Sequence, residues 1–202
     1  MGPADSGPTW SVKLKLGPRD ILLVEPIYQP AEDSYLLQRH VERLVRGDVL
    51  DMGTGSGIQC VAAAQKMEVD TVTAVDVNPA ALIAAEKRGK AAGTLRKMKF
   101  ILSDLFQSVD GVYDWIIFNP PYLLSEGAAD EASWSGGGGG RETISRFLAA
   151  APGHLKAGGG ILMVYSSLTD LSAKDFKDYV VEVLEEQHIF FETLFCVRLT
   201  PS

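Results

Sequence analysis

The chain has 202 residues and a net charge of −7 at pH 7, with 46% hydrophobic and 22% charged residues. This length and hydrophobic content predict one folded domain with a sizeable core and exclude a disordered chain. The acidic balance argues against broad electrostatic attachment to nucleic acid, which needs clustered Lys and Arg.

The N-terminal part of the chain predicts a leader followed by a small appendage. Residues 1–10 are rich in Gly, Pro, Ala and Ser, which is typical of a flexible leader. Two short apolar stretches within residues 11–24 flank a Gly-Pro turn signal and predict a hairpin. Apolar residues at helical spacing then predict a helix over 33–45, with Asp33 or Ser34 as its N-cap.

Strands and helices alternate through the middle of the chain, whereas two consecutive strands end it. The predicted strands are 49–51, 71–75, 99–102, 115–118 and 160–165, and the predicted helices are 58–66, 79–92 and 141–150. A helix over 172–178 and strands over 180–184 and 190–199, joined by a hairpin turn at 185–188, are predicted to follow.

This order of elements predicts an α/β fold with a Rossmann-like, doubly wound, seven-stranded sheet in a three-layer sandwich. The sheet is expected to be mostly parallel, with a C-terminal antiparallel hairpin strand. The predicted division of the chain is a leader at 1–10, a hairpin and helix at 11–46, and the main α/β domain at 47–202.

A glycine-rich turn follows the first central strand, in the segment Asp51-Met52-Gly53-Thr54-Gly55-Ser56-Gly57. Glycines there allow a tight turn and a close approach of the backbone to a ligand. The G-x-G-x-G spacing differs from the G-x-G-x-x-G of pyrophosphate sites, and Asp51 would repel a diphosphate, which disfavours NAD. Asp51 suits a positively charged ligand, such as the amino group or sulfonium of S-adenosyl-L-methionine.

Two further acids end successive strands and complete a predicted nucleoside site. Asp76 is placed to accept hydrogen bonds from ribose hydroxyls, and Asp104 from an adenine amino group, with Leu105 beside the ring. Each feature alone is equally compatible with a strand–helix turn or a helix cap, but together they favour a cofactor. The predicted cofactor-binding residues are Tyr28, Ser34, Asp51, Gly53, Thr54, Gly55, Gly57, Asp76, Val77, Asp104, Leu105 and Asn119.

The segment Asn119-Pro120-Pro121-Tyr122 follows an apolar predicted strand and is the predicted catalytic segment. Two prolines continue neither a strand nor a helix, so the chain leaves the sheet at a rigid corner. The Asn119 side-chain oxygen and the Pro120 carbonyl can each accept one N–H of a planar NH2 group, on which Tyr122 can stack. Glu32 and Asp33 are predicted to line the acceptor mouth, although capping of the first helix explains them equally well.

The sequence resembles class I S-adenosylmethionine-dependent methyltransferases, and within them the HemK-type protein-glutamine N5-methyltransferases of the archaeal and eukaryotic release-factor branch. Asp51 stands where many members have Glu, and Ser34 where many have Thr. The resemblance covers nearly all of the chain after the leader and rests on Tyr28-Gln29-Pro30-Ala31-Glu32-Asp33-Ser34, on Leu50 to Gly57, on Asn119-Pro120-Pro121-Tyr122, and on Trp134 through Gly140 to Arg141-Glu142.

The resemblance implies methyl transfer to the side-chain amide of the glutamine in the Gly-Gly-Gln motif of a class I peptide chain release factor. The methyl donor would be S-adenosyl-L-methionine and the product S-adenosyl-L-homocysteine. Related enzymes also imply a small zinc-binding activator subunit as a partner.

Three other functions remain open at this stage. An N6-adenine or other exocyclic-amine methyltransferase acting on DNA or RNA would hold its planar nitrogen through the same hydrogen bonds. The chain has no Lys/Arg stripe with interleaved aromatic residues, which binding of nucleic acid would favour. A protein-lysine methyltransferase is a further alternative. A non-catalytic S-adenosylmethionine-binding module is the alternative from a different class.

Cysteine, histidine and hydropathy patterns predict neither a metal site nor a membrane anchor. Cys60 and Cys196 lie far apart and share no ligand spacing with the three histidines. No apolar run reaches the length of a membrane span, and the N-terminus lacks a signal-peptide core. A cytoplasmic location is therefore expected.

Overall fold

The computed structural model describes residues 27–121 and 140–202. The hairpin predicted within residues 11–24, the predicted catalytic residue Tyr122 and the tryptophan Trp134 lie outside these ranges.

Four α-helices and seven strands make up the described ranges. The helices are α1 Glu32–Leu44, α2 Ile58–Ala64, α3 Pro79–Ala91 and α4 Arg141–Ala150. The strands are β1 Gly47–Met52, β2 Val69–Asp76, β3 Met98–Leu102, β4 Tyr113–Phe118, β5 Leu155–Ser166, β6 Tyr179–Ile189 and β7 Glu192–Pro201. Most bounds agree with the sequence prediction within two residues, but β5 begins five residues earlier than expected.

The seven strands form one sheet in the order β3-β2-β1-β4-β5-β7-β6. The first five strands of the chain are parallel to one another, while β7 runs antiparallel to both β5 and β6. The predicted mostly parallel sheet with a C-terminal antiparallel strand is thereby confirmed. The direction of strand succession reverses between β1 and β4, and in such sheets ligands bind in the crevice at the carboxyl ends of these strands.

Alternate residues of the central strands enter two separate cores, which gives the molecule three layers. Val49 and Ile117 pack into a cluster with buried residues of α1 and α2. Their neighbours Leu50 and Ile116 point to the opposite face and pack with Phe147 of α4. Because both faces of these strands are buried, apolar residues occupy successive positions and do not alternate with polar ones, which explains the continuous apolar runs in the sequence.

The amino edge of the sheet, where β1, β4 and β5 begin, is held together by a shared cation. Lys156 Nζ lies 2.7 Å from Asp48 Oδ2 and 2.8 Å from Asp114 Oδ2. The backbone N–H of Asp48 also donates to Asp114 Oδ2 at 2.7 Å. The hydrogen bonds from Lys156 and Thr71 lower the pKa of Asp48 below its usual value.

The helix predicted over 172–178 is wrong. Residues 173–178 form consecutive turns, with the Asp175 N–H donating to the Ser172 carbonyl at 2.9 Å. The Asp175 carboxylate accepts from the Ser172 N–H at 2.8 Å, and Phe176 is buried in the core. These local contacts and the burial of Phe176 accompany turns in place of the expected helix, and β6 follows directly at Tyr179.

The hairpin turn predicted at 185–188 is also wrong. Strand β6 continues to Ile189, and the turn consists of Phe190 and Phe191. Glu185 is held by helix α1, with Arg39 Nη2 at 2.7 Å and His40 Nε2 at 2.8 Å from its carboxylate oxygens. The polar run that resembles a turn is therefore an edge strand anchored from the side.

The predicted cap of the first helix differs as well. Helix α1 begins at Glu32, and its N-cap residue is Ala31, which makes no side-chain cap hydrogen bond. Asp33 and Ser34 lie inside the first turn, so their side chains are available for contacts outside the helix. A carboxylate in the first turn is also favourable to the helix dipole.

Candidate active site

The glycine turn between β1 and α2 packs tightly against its neighbours. Gly53, Gly55 and Gly57 have φ angles of 64°, 52° and 80°, in the left-handed region that favours glycine. A Cβ atom on Gly57 would lie 2.6 Å from Ala85 Cα, so only glycine fits between the turn and α3. The turn is tied to β2 by the Thr54 N–H, which donates to the Val75 carbonyl at 2.9 Å.

Asp51, at the end of β1, is buried beneath this turn. Its Oδ2 accepts from Thr54 Oγ1 at 2.6 Å and from the Cys60 N–H at 3.0 Å. Burial raises the pKa of Asp51 to about 7, although these hydrogen bonds oppose the shift. Within 27–121 and 140–202, no Lys or Arg forms an ion pair with this carboxylate.

Asp76, at the end of β2, is likewise held by backbone amides. The Gly55 N–H donates to its Oδ2 and the Asn78 N–H to its Oδ1, each at 2.9 Å. Burial raises its pKa above the usual value, and the hydrogen bonds counteract this. Each carboxylate oxygen keeps a lone pair with which it can accept from a ligand hydroxyl.

Asp104, the third strand-end acid, sits in a more open setting with a cation beside it. Its side chain is 42% exposed, and Arg146 Nη2 of α4 lies 2.6 Å from its Oδ2. The neighbouring Leu105 has a φ of 48°, which is unusual for a branched residue, and Val77 is exposed. A neutral amino group and a flat ring suit these surroundings better than a second cation does.

Asn119 lies at the end of β4, where its side chain is turned toward helix α1. Its Nδ2 donates to Asp33 Oδ2 at 3.0 Å and makes a longer contact of 3.4 Å with Ser34 Oγ. Its Oδ1 is buried and has no hydrogen-bond partner in the described part of the chain. An unsatisfied buried oxygen is unfavourable in a folded protein and commonly marks a place where a ligand donates.

Asp33 connects three predicted site residues. Its Oδ1 accepts from the Tyr28 hydroxyl at 3.0 Å and from the Ser34 hydroxyl at 3.2 Å, while its Oδ2 faces Asn119. The pKa of Tyr28 is raised, chiefly by burial and then by the negative charges of Asp33, Glu32 and Glu192. The segment before α1 thus lies directly against the end of β4.

Most of the predicted site residues lie at one edge of the sheet. Asp51, Asp76 and Asn119 lie at the carboxyl ends of the neighbouring strands β1, β2 and β4, respectively, and Asp33 and Ser34 reach this edge from α1. Thr54 turns its hydroxyl inward to Asp51, and Ser34 is buried. Glu32 and Pro121 are exposed at this edge, while Pro120 is buried.

Sequence reasoning missed Gln59, in the first turn of α2. Its side chain is buried, with Nε2 donating to the Ser34 carbonyl at 2.8 Å and Oε1 lacking a hydrogen-bond partner among the described residues. The contact fixes α1 beside the glycine turn. A lone polar residue within an apolar helix of seven residues was the signal that could have identified it.

The part of the chain that the structure describes contains neither a metal-binding cluster nor a membrane-spanning helix. No group of His, Cys, Asp and Glu side chains in 27–121 and 140–202 has an arrangement that could hold a metal ion. None of the helices in these ranges is long and apolar enough to cross a membrane.

Comparison with known proteins agrees with this geometry. The methyltransferase small domain family matches residues 31–190. A putative protein N5-glutamine methyltransferase of Methanocaldococcus jannaschii is 38% identical over 163 residues, which are 78% of each chain.

Two solved structures share the fold. The E. cuniculi Mtq2-Trm112 complex, described as responsible for methylation of the eRF1 translation termination factor, matches with a TM-score of 0.64 and 26% identity, covering 87% of this chain and 98% of that one. A T. Thermophilus 16S rRNA N2 G1207 methyltransferase, in complex with AdoMet and guanosine, matches with a TM-score of 0.67. Its identity is 20%, and the match covers 86% of this chain and 44% of that one, so it shows the fold alone.

The family match, the relative in Methanocaldococcus jannaschii and the arrangement of the strand ends lead to one conclusion. The chain is a methyltransferase that belongs to the methyltransferase small domain family and, within it, to the HemK-type protein-glutamine methyltransferases.

Proposed function

We propose that this enzyme methylates the side-chain amide nitrogen of the glutamine in the Gly-Gly-Gln motif of a class I translation termination factor. The observation that carries the proposal is the Asn119 side chain. Its Nδ2 is committed to Asp33, so its Oδ1 is fixed as an acceptor, buried and with no hydrogen-bond partner among the described residues. A planar NH2 group offers the N–H that this oxygen lacks.

S-adenosyl-L-methionine fits the strand-end residues as the methyl donor. Its positive charge suits Asp51, which is buried without a Lys or Arg partner in the described ranges. We propose that Asp76 holds the ribose hydroxyls and that Asp104, with Val77 and Leu105, holds the adenine. The glycine turn would approach the cofactor closely, because Gly53 and Gly55 carry no side chain there. When bound, the cofactor supplies an electrophilic methyl group.

The chain itself contributes positioning and electrostatics. An amide nitrogen is a poor nucleophile because its lone pair is delocalised into the carbonyl. By accepting one N–H each, Asn119 Oδ1 and the Pro120 carbonyl would orient the amide and increase electron density on its nitrogen. Tyr122 is proposed to stack on the amide plane. Holding the reacting atoms in one geometry can supply most of the rate enhancement.

Substrate and partner follow from the same proposal. The "E. cuniculi" Mtq2-Trm112 complex is described as methylating a translation termination factor, and it contains a second, partner protein. We propose that residues 47–202, preceded by the appendage of residues 11–46, form a catalytic domain that acts on such a factor together with a small zinc-binding activator subunit. Glu32 and Asp33 would lie at the mouth through which the glutamine enters.

The proposal is tested by radiolabelled methyl transfer with the purified enzyme, with and without a candidate activator subunit. The acceptors are a class I termination factor, the same factor with its Gly-Gly-Gln glutamine changed to alanine, and total RNA. Label on the first acceptor alone is expected, with mass spectrometry placing the methyl group on the glutamine. Label on RNA would contradict the proposal and favour an exocyclic-amine methyltransferase.

The Asn119→Ala variant isolates the acceptor site. It is expected to abolish transfer while leaving the affinity for S-adenosylmethionine, measured by calorimetry, within about a factor of three of wild type, because the removed oxygen faces the acceptor. Transfer at the wild-type rate by this variant would refute the role of Asn119.

A further inference from the structure

The turn between β6 and β7 is built from two phenylalanines that contact almost nothing. Ile189 and Glu192 form the last pair of the hairpin, so Phe190 and Phe191 are the two turn residues. Their side chains are 100% and 95% exposed. Isolated exposed apolar residues are ordinary, but two adjacent aromatic side chains at a turn present a compact apolar surface.

This turn is also an unfavourable place for phenylalanine. Two-residue hairpin turns require a positive φ at their first residue or at both, and they therefore strongly prefer glycine or asparagine at those positions. Phe190 has a φ of 39°, a conformation that bulky side chains rarely adopt. Neither burial nor turn geometry therefore favours these residues, which points to a role outside the folding of the hairpin.

Hydrogen bonds fix the base of the turn to the end of β5. The Thr193 N–H donates to Ser167 Oγ at 3.0 Å, and the Ser166 hydroxyl contacts the Glu192 carboxylate. Leu168, which follows in the same segment, is 60% exposed. We call Phe190, Phe191 and Leu168 the hairpin-tip surface. Because its base is fixed, this surface is presented in one orientation.

The hairpin-tip surface lies at the same edge of the sheet as the acceptor site. Strand β7 is antiparallel to β5, so its beginning at Glu192 lies where β5 ends, and the parallel strand β4 ends at Asn119 on that edge. The Tyr28 hydroxyl donates to Asp33 at this edge. Asp33 in turn holds Asn119.

We propose that the hairpin-tip surface is a docking site for the polypeptide substrate, binding an apolar side chain beside the acceptor glutamine. This rests on the proposed function, because it assigns part of the same substrate to a second contact. A glutamine amide alone offers few atoms for recognition, and an apolar contact outside the pocket would supply affinity and select one protein among many.

The negative charge of the chain indicates which kind of substrate segment could bind the hairpin-tip surface. The chain carries a net charge of −7, and Glu32 is exposed at this edge. A substrate segment that combines an apolar side chain with basic neighbours is complementary to such a rim. Nucleic acid is disfavoured, because its phosphates would meet these carboxylates.

The test uses a double variant that is expected to fold at least as well as the wild type. Phe190→Gly with Phe191→Asn places glycine at the turn residue with the positive φ, which is where a type II′ turn prefers it. The matched control is Val180→Ser, which removes a 63% exposed apolar side chain from the same hairpin at the opposite edge of the sheet. Thermal unfolding, equilibrium binding of an intact class I termination factor, and steady-state methyl transfer are measured for both variants.

The double variant is expected to bind the termination factor at least ten-fold more weakly than the wild type. The KM for the factor is expected to rise by a similar ratio, with kcat and cofactor affinity unchanged. Its melting temperature should equal or exceed that of the wild type, and Val180→Ser should leave binding unchanged. Unchanged factor affinity in the double variant would overturn the proposal.

Other occupants of the surface give different results. A lower melting temperature would show that the phenylalanines stabilise the fold itself, and a lost dimer in sedimentation would show that they bind a second copy of the chain. Loss of a copurifying small subunit, with unchanged affinity for the factor, would assign the surface to that subunit. Each of these would overturn the docking proposal. If the wild type binds the factor through this surface but transfers no methyl group to it, the proposed function fails while the docking site stands.

Discussion

The aspartates at the two edges of the sheet have different hydrogen-bond and ion-pair partners. At the amino edge, Asp48 and Asp114 share the ammonium group of Lys156, which partly offsets their negative charge. At the carboxyl edge, Asp51 and Asp76 are satisfied by hydroxyl and amide donors, with no Lys or Arg ion pair in the described ranges. The first arrangement pairs the carboxylates with a cation within the chain, whereas the second leaves them without one in the described ranges, as the proposed binding of a cationic cofactor at Asp51 requires.

This difference has a thermodynamic consequence. Burial of Asp51 without a cation raises its pKa to about 7, so ionisation of this group opposes folding. The pKa of Asp48 is lowered instead, so ionisation of that group favours folding. Functional sites commonly keep such unfavourable charges because ligand binding compensates them.

The glycines at the two edges give the largest expected contrast in stability. Gly57→Ala at the carboxyl edge places a Cβ 2.6 Å from Ala85 Cα at a φ of 80°, and we expect a loss of roughly 2–5 kcal/mol in the free energy of unfolding. Gly93→Ala at the amino edge has a φ of 72° but open space around the added atom, so about 1–2 kcal/mol is expected. Urea denaturation measures both, and equal losses would show that the contact with α3 does not constrain the turn.

Removing the carboxylate that holds Asn119 should reduce activity more than stability. Asp33→Ala releases Asn119 Nδ2, so the acceptor amide is no longer oriented, and we expect kcat to fall by about 100-fold. Cofactor affinity should stay near wild type, and Asp33→Asn should restore part of kcat because its amide oxygen can still accept from Asn119. Asp114→Ala is the matched control at the other edge, with kcat unchanged. A fall confined to KM would assign Asp33 to substrate contact instead.

The pH dependence of unfolding distinguishes the two kinds of aspartate. Between about pH 4 and pH 7 the folded chain holds the Asp51 proton that the unfolded chain releases, so stability falls as pH rises, by up to about 1.4 kcal/mol per pH unit. Asp51→Asn keeps an acceptor for Thr54 and Cys60 but cannot titrate, and its slope over this range should be smaller. Denaturation curves at pH 5 and pH 7 measure the change, and identical slopes would exclude Asp51 as the titrating group.

The smallest effect is expected at the amino edge. Lys156→Met removes the shared cation, so the stability that ionised Asp48 contributes above its unfolded-state pKa, and loses as pH falls through its lower folded-state pKa, should diminish. Because the group is near the surface, we expect a slight fall in the melting temperature and no change in kcat or cofactor affinity. Comparison of melting temperatures at pH 6 and pH 3 tests this, since the difference from wild type should shrink in acid.

Local patterns were sufficient to predict most of the fold and the residues at the strand ends. Continuous apolar runs, a Gly-rich turn and a double proline report short-range constraints, which act within a few residues of the chain. These patterns located β1, β2 and β4 and the acids and amide that end them. The roles assigned to those residues stay predictions until the variants are measured.

The errors arose where distant contacts override local preference. The polar run at 185–188 resembles a turn, but contacts of Glu185 with Arg39 and His40 of α1 keep it in the sheet. At 172–178, Asp175 pairs with Arg141 of α4 and Phe176 is buried in the core, and the segment forms turns in place of the predicted helix. The phenylalanine turn has no sequence signal, since local preference opposes it.

The alternating α/β order, the glycine turn and the acidic or amide residue at each central strand end could be read from the amino-acid sequence alone, because these depend on backbone geometry and periodicity. The three-dimensional structure was needed to show that Asp33 binds the amide nitrogen of Asn119, that Asp104 pairs with Arg146, and that Phe190 and Phe191 lie at the same edge of the sheet as Asn119. These contacts join residues far apart in the chain, and a single sequence carries no local record of such pairs.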